Sequence, residues 1–155
     1  MATEIERKFL VTGTAWKNDT GVSLTQGYLC RDEMTTLRVR VAGDKSFLTI
    51  KSATSGISRA EFEYEIPISD AEHLLKLCDG ALIRKTRYTV IDDGNRWEVD
   101  EFHGVNEGLV IAEIELESED QVFARPDWLG REVSDDPRYY NASLVKNPYL
   151  NWCPA

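Results

Sequence analysis

Cysteine and histidine are scarce in this chain. Three cysteines, Cys30, Cys78 and Cys153, stand far apart, and two histidines, His73 and His103, have no partner at metal-ligand or dyad spacing. An odd, scattered set of thiols argues against a disulfide framework and a thiolate zinc site, and fits a reducing cytoplasm. His73 falls in a helical stretch and His103 in a turn, so both read as surface residues. There is no P-loop, HExxH or GxSxG pattern. No apolar run approaches the length of a membrane span, and the acidic N-terminal stretch does not resemble a signal peptide. Basic residues are outnumbered, 18 against 27 acidic, for a net charge of −9. Non-specific nucleic-acid binding is therefore not expected, although a small local cationic site remains allowed. A hydrophobic content of 42% in 155 residues suits one domain over 1–155 with a core of its own.

What the chain does have is alternation. In Glu4-Ile5-Glu6-Arg7-Lys8, three ionisable side chains occupy every second position, which puts them on one face of a strand. Two carboxylates about 7 Å apart on that face repel unless a cation lies between them. The same period of two marks strands at 2–11, 22–30, 36–42, 45–52, 58–67, 81–91, 95–102 and 108–117. Gly43-Asp44 and Asp93-Gly94 are hairpin turn signals, and a further turn is expected near 32–35. Ser69–Glu72 reads as a capping box that opens a helix over 70–79, with Gly80 as its stop. Ser118–Gln121 reads as a second box opening a short helix that Pro126 ends, and Asp136-Pro137 as the start of a C-terminal helix to about 146.

A single strand with one charged parity is ordinarily the wet face of a half-buried sheet. Here seven of the eight expected strands carry it, in blocks of one sign: Glu4/Glu6, Arg38/Arg40, Glu61/Glu63/Glu65, Lys85/Arg87, Glu98/Asp100 and Glu113/Glu115/Glu117. Like charges side by side cost stability, so such blocks suggest sorting for ligands. If eight antiparallel strands close, the charged parity lines a narrow bore and the apolar parity forms the outer wall. Ten acids then face seven bases (Lys8, Arg38, Arg40, Lys51, Arg59, Lys85 and Arg87), a net of −3. The carboxylates suit a hard cation such as Mg²⁺ or Mn²⁺, and the arginines and lysines suit phosphate oxygens.

The ordered set of Glu4-x-Glu6-x-Lys8, Arg38-x-Arg40, Lys51, Glu61/Glu63, Lys85/Arg87, Glu98/Asp100 and Glu113-x-Glu115 resembles the CYTH superfamily, the triphosphate tunnel metalloenzymes. Local wording, including Arg138-Tyr139-Tyr140-Asn141-Ala142-Ser143-Leu144, is similar to its short bacterial members. The resemblance implies a mostly β, α+β fold: a closed eight-stranded antiparallel barrel with a few helices packed outside and at the C-terminus. It implies metal-dependent hydrolysis of inorganic triphosphate to pyrophosphate and phosphate. Glu4, Glu6, Glu113 and Glu115 would hold the main metal, and Glu61, Glu63 and Asp100 a second. Arg38, Arg40, Lys51, Lys85 and Arg87 would clamp phosphates, with Arg59 a weaker candidate. Lys8 is expected to be catalytic, as a base or as an electrostatic group. Tyr28 fits either a role beside it or plain packing. The same site admits a class IV-type adenylate cyclase or a thiamine or nucleoside triphosphatase. Outside enzymes, a polyphosphate-binding module and a structural sheet domain remain. A cytoplasmic monomer or homodimer, with no nucleic-acid or membrane partner, is the expected setting.

Overall fold

The computed structural model describes residues 2–32 and 34–152; Glu33, in the turn expected near 32–35, and Cys153 lie outside the described residues. Alternation gives strands where the sequence places them: β1 (Ala2–Val11), β2 (Val22–Arg31), β3 (Thr35–Ala42), β4 (Lys45–Ser52), β5 (Ser58–Ile66), β6 (Asp79–Asp92), β7 (Asn95–Phe102) and β8 (Val110–Glu115). They run in the order β5-β4-β3-β2-β6-β7-β8-β1, and β1 pairs back onto β5, so the eight strands close into an antiparallel barrel. Two-residue turns fix the register. Gly43 has φ 61° between the paired Ala42 and Lys45, and Asp93 and Gly94 have φ 48° and 76° between Asp92 and Asn95.

A ninth strand, β9 (Leu129–Glu132), lies on β1. The sequence reading has a short helix opening at 118–121 ahead of it, and no helix forms there. Gln121 folds back instead, and its Oε1 accepts the Glu117 N–H at 2.7 Å. The extended course lets Phe123 and Trp128 reach Trp97, each with ring centroids 5.6 Å away and edge to face. That aromatic packing outweighs a local capping signal.

Helix α1 (Ile68–Leu77) starts earlier than its expected box. Pro67 is the N-cap, so Ser69 lies inside the first turn and caps nothing. Nor is Gly80 the stop: the helix ends at Cys78 in extended backbone, and Gly80 sits within β6 at φ 76°. The expected C-terminal helix is broken into pieces. Asp136 does cap its start, accepting the Arg138 N–H at 3.1 Å, but Pro137–Tyr139 is a 3₁₀ turn. Extended backbone at Tyr140 separates it from α2 (Asn141–Leu144).

The apolar core sits outside the barrel. Phe9, Trp16, Trp97, Ile114 and Trp128 form one buried cluster, and Ile83, Phe102, Ile111, Val133, Tyr139 and Leu144 a second. Among the described residues no helix is long and apolar enough to cross a membrane.

Candidate active site

With the apolar parity turned outward, the charged parity encloses a cavity of about 640 Å³. The one-sign blocks become walls because neighbouring strands carry like blocks. Strands β3 and β6, on either side of β2, contribute Arg38, Arg40, Lys85 and Arg87. The adjoining run β7-β8-β1 contributes Glu98, Glu113, Glu115, Glu4 and Glu6, with Lys8 among them. Lys51 on β4 and Arg59, Glu61 and Glu63 on β5 join the two walls. Residues 140–143 of the C-terminal segment line the cavity as well.

The basic wall is organised by one buried anion. Asp100, 1% exposed, accepts from Lys85 Nζ at 2.7 Å and from Arg87 Nε and Nη2 at 2.7 and 2.8 Å. Burial opposes its charge, yet Arg87 and Lys85 hold its carboxyl far below the ordinary range. Burial, with Arg87 and Arg40 nearby, pushes Lys85 down to about 7 despite Asp100. Burial and then Arg38 and Arg87 press on the charge of Arg40 in the same direction. Arg38 Nε is buried without a hydrogen-bond partner. Cations short of counter-charge, one with an orphan donor, form an anion site.

The acidic wall has the opposite shortage. Register sets Glu6 against Glu115 and Glu98 against Glu113. Burial, then Glu113, raises the pKa of Glu6; burial, then Glu4, Glu6 and Glu98, raises that of Glu115. Three of these carboxylates, Glu6, Glu113 and Glu4, share Lys8 and its basic neighbours. Lys8 Nζ lies 3.8 Å from Glu6 and 3.6 Å from Glu113, while Lys51 and Arg59 reach Glu4 at 2.9 and 3.2 Å. Burial opposes the charge on Lys8, but Glu113 and Glu6 prevail and hold its pKa above the ordinary lysine value. Among the described residues no three carboxylates converge on a single point, and Glu4, Glu6 and Glu113 each lie against an ammonium or guanidinium group. The donor set itself, all oxygen and short of positive charge, fits a hard divalent cation.

Residues 2–145 match the CYTH domain family. The chain belongs to the CYTH family. It is 54% identical over 154 residues to an inorganic triphosphatase of Acetivibrio thermocellus, covering 98% of this chain and 99% of that protein. A second inorganic triphosphatase, of Nitrosomonas europaea, is 41% identical over 147 residues, covering 92% and 97%. The crystal structure of the inorganic triphosphatase NE1496 superposes with a TM-score of 0.68 at 39% identity, covering 94% of this chain and 95% of that one.

Of the site residues expected from sequence, this CYTH barrel brings Glu4, Glu6, Lys8, Tyr28, Arg38, Arg40, Lys51, Arg59, Glu61, Glu63, Lys85, Arg87, Glu113 and Glu115 around one cavity. Asp100 is not on its surface; it lies behind Lys85 and Arg87, with both oxygens engaged. Lys8 and Tyr28 share the cavity, and among the described residues no hydrogen bond joins them. Glu98 lines the cavity too, whereas Glu65 and Glu117 do not. Sequence reasoning missed the neutral residues: Gln26, Thr49 and Asn141 bond to the charged ones and carry no charge pattern of their own. It also missed what holds Lys8. Ser134, just past β9, accepts the Lys8 N–H on Oγ at 2.9 Å and donates to Glu132, which pairs with Arg7.

Proposed function

We propose that this chain hydrolyses inorganic triphosphate to pyrophosphate and phosphate, using Mg²⁺ or Mn²⁺, as one cytoplasmic tunnel domain that is a monomer or homodimer. The observation that carries this reading is the pair of facing walls, one short of anions and one short of cations, in a cavity of about 640 Å³. A metal-bound run of phosphates supplies both. The names of the relatives support the same substrate. The exposed part of the lining, Asp32, Thr35, Ser52, Ala53, Thr54, Glu63 and Glu115, is small or acidic and carries no aromatic ring to stack on a purine, which favours triphosphate over ATP.

Phosphoryl transfer needs positioning and charge neutralisation more than covalent help. Glu4, Glu6, Glu113 and Glu115 would hold the main cation, and Glu61 and Glu63 a second. A bound divalent cation supplies Lewis-acid neutralisation of phosphate oxygens. Arg38, Arg40, Lys51, Lys85 and Arg87 clamp the phosphates, with Arg59 steering Glu4. Asp100 organises Lys85 and Arg87 rather than binding metal. Lys8, held protonated by Glu113 and Glu6, acts as an electrostatic group toward the phosphate under attack. Tyr28, buried beside Gln26, shapes the same wall.

The test is phosphate release from triphosphate with Mg²⁺, with ATP in parallel, for wild type and Glu6→Gln. Fast, metal-dependent release from triphosphate alone, lowered about 100-fold or more in the variant, is expected. Cyclic AMP from ATP would move the chain to a cyclase. Stabilisation by triphosphate without turnover would make it a binding module.

A further inference from the structure

The cavity's cations are joined through two neutral amides. Arg40 Nε donates to Gln26 Oε1 at 2.8 Å, Gln26 Nε2 donates to Asn141 Oδ1 at 3.2 Å, and Lys85 Nζ donates to the same Oδ1 at 3.0 Å. The amide orientations are forced from both ends. Lys85 has only donors, so the Asn141 atom facing it is the oxygen; Arg40 has only donors, so the Gln26 atom facing it is the oxygen. Gln26, in the middle of this chain of bonds, is 0% exposed, so water does not reach its amide to replace them there. Asn141 is anchored from behind, at the start of α2, where Tyr139, Leu144 and Val145 pack into the second apolar cluster.

The arithmetic of donors then points into the cavity. Lys85 spends two of its three N–H groups on Asp100 and Asn141. Arg40 spends its Nε on Gln26, and among the described residues its two terminal nitrogens make no hydrogen bond. With Oδ1 committed to Lys85 and Gln26, the Asn141 amide nitrogen has no partner among the described residues, and it is not among the buried unpaired atoms. Asn141 lines the cavity, so that amide opens onto it.

We propose that Asn141 positions the substrate in this site. Its oxygen fixes Lys85 directly and Arg40 through Gln26, and its amide N–H₂ gives a phosphate oxygen a neutral donor between the two cations. The inference rests on triphosphate being the substrate. A neutral residue is suited to this place: a third cation would add repulsion to a wall already short of anions, and an anion would compete with the ligand.

Steady-state kinetics on triphosphate with Mg²⁺, and melting temperature with and without triphosphate, test it in Asn141→Ala, Asn141→Asp, Gln26→Leu and the Asn141→Ala/Gln26→Leu double variant. Asn141→Asp keeps the acceptor toward Lys85 and Gln26 but exchanges the donor for a carboxylate oxygen. It is expected to melt at or above wild type without ligand, yet to raise KM for triphosphate about tenfold or more, and further than Asn141→Ala does. In both variants kcat falls less than KM rises, and the triphosphate-induced melting shift shrinks. The double variant is expected to lose less than the sum of the two single changes. Asn141→Asp with wild-type KM, or an Asn141→Ala whose only change is a lower melting temperature, would overturn the positioning role. Strict additivity would overturn the relay to Arg40. A wild type that neither binds nor hydrolyses triphosphate would remove the substrate reading itself, whatever the variants do.

Discussion

Asp100→Asn is the sharpest test of how the basic wall is held. The substitution keeps size and shape and removes the one anion between Lys85 and Arg87. Arg87 retains Glu98 at 3.2 Å and Glu113 at 4.0 Å, so Lys85 is the group left without its paired carboxylate, with only neutral amide oxygens, that of the new side chain and Asn141 Oδ1, to accept from it. Breaking a buried pair from one side costs about 3–5 kcal/mol. Because Arg87 is spared, the lower end, about 3 kcal/mol, is expected, or a melting point roughly 10 °C lower for a chain of this size. Lys85→Met is the control. It leaves Asp100 with both Arg87 bonds, so it should cost about 1 kcal/mol or less. Urea unfolding followed by tryptophan fluorescence reads both, since Trp97 is fully buried. The sign with pH follows from a depressed carboxyl: its stabilisation is present above the unfolded value of about 3.9 and is lost as pH falls through the lower folded value. The Asp100→Asn deficit should therefore be full at pH 5 and begin to close only below about pH 4. An Asp100→Asn variant within about 1 kcal/mol of wild type, or a Lys85→Met as damaging as Asp100→Asn, would refute the assignment of Asp100 as organiser.

Two further outcomes separate binding from stability. Lys85 has a folded pKa of about 7, below its unfolded value, so between them the unfolded chain binds more protons and stability rises with pH. Wild type should gain on Lys85→Met from pH 7 to pH 9 in urea titrations; bound triphosphate, by keeping Lys85 charged, should abolish that gain, and a flat difference without ligand would count against it. Arg38→Met removes a buried Nε that has no partner, so the ligand-free protein should melt within a few degrees of wild type. Triphosphate affinity by calorimetry should fall roughly 10- to 100-fold, as for loss of a charge-assisted bond, and unchanged affinity would remove Arg38 from the clamp.

The strands and the cavity were legible because a barrel interior has a period of two and charge is easy to see in a sequence. Arg38 and Arg40, or Glu113 and Glu115, announce a face without any knowledge of what lies opposite. What could not be read is which charged residues of that parity reach the cavity. Asp100 shares its parity with Glu98, yet the two side chains end up behind and on the cavity surface because Lys85 and Arg87 close over Asp100. Local signals failed where long-range packing competed. Ser118–Gln121 is a plausible helix start, but a helix there would withdraw Phe123 and Trp128 from Trp97. Gln26 and Asn141, at positions 115 residues apart, meet only once the barrel closes and the C-terminal segment packs on it.

The two walls also set the order of importance of their ligands. Eight acids (Glu4, Glu6, Asp32, Glu61, Glu63, Glu98, Glu113 and Glu115) and seven bases line the cavity, so its net charge is only −1 and the imbalance is spatial. The ammonium groups of Lys8 and Lys51 lie against Glu6, Glu113 and Glu4, so a cation that takes these carboxylates would turn them toward phosphate. Glu6 is the most informative place to perturb this. Its pKa is raised by burial and by Glu113, so its charge destabilises the folded chain at neutral pH, and the penalty disappears as pH falls below its folded value. In EDTA at pH 8, Glu6→Gln should therefore melt higher than wild type, and at pH 4 the two should converge. Mg²⁺ should raise wild type toward the variant. Because one competitor for Lys8 is gone, the variant should also bind triphosphate more tightly than wild type in EDTA, while its turnover with Mg²⁺ is lost. Tighter binding together with lost turnover identifies Glu6 as a group whose charge serves a cation. Weaker triphosphate binding in EDTA would mean that Glu6 shapes the phosphate site directly, and the division into two walls would be wrong.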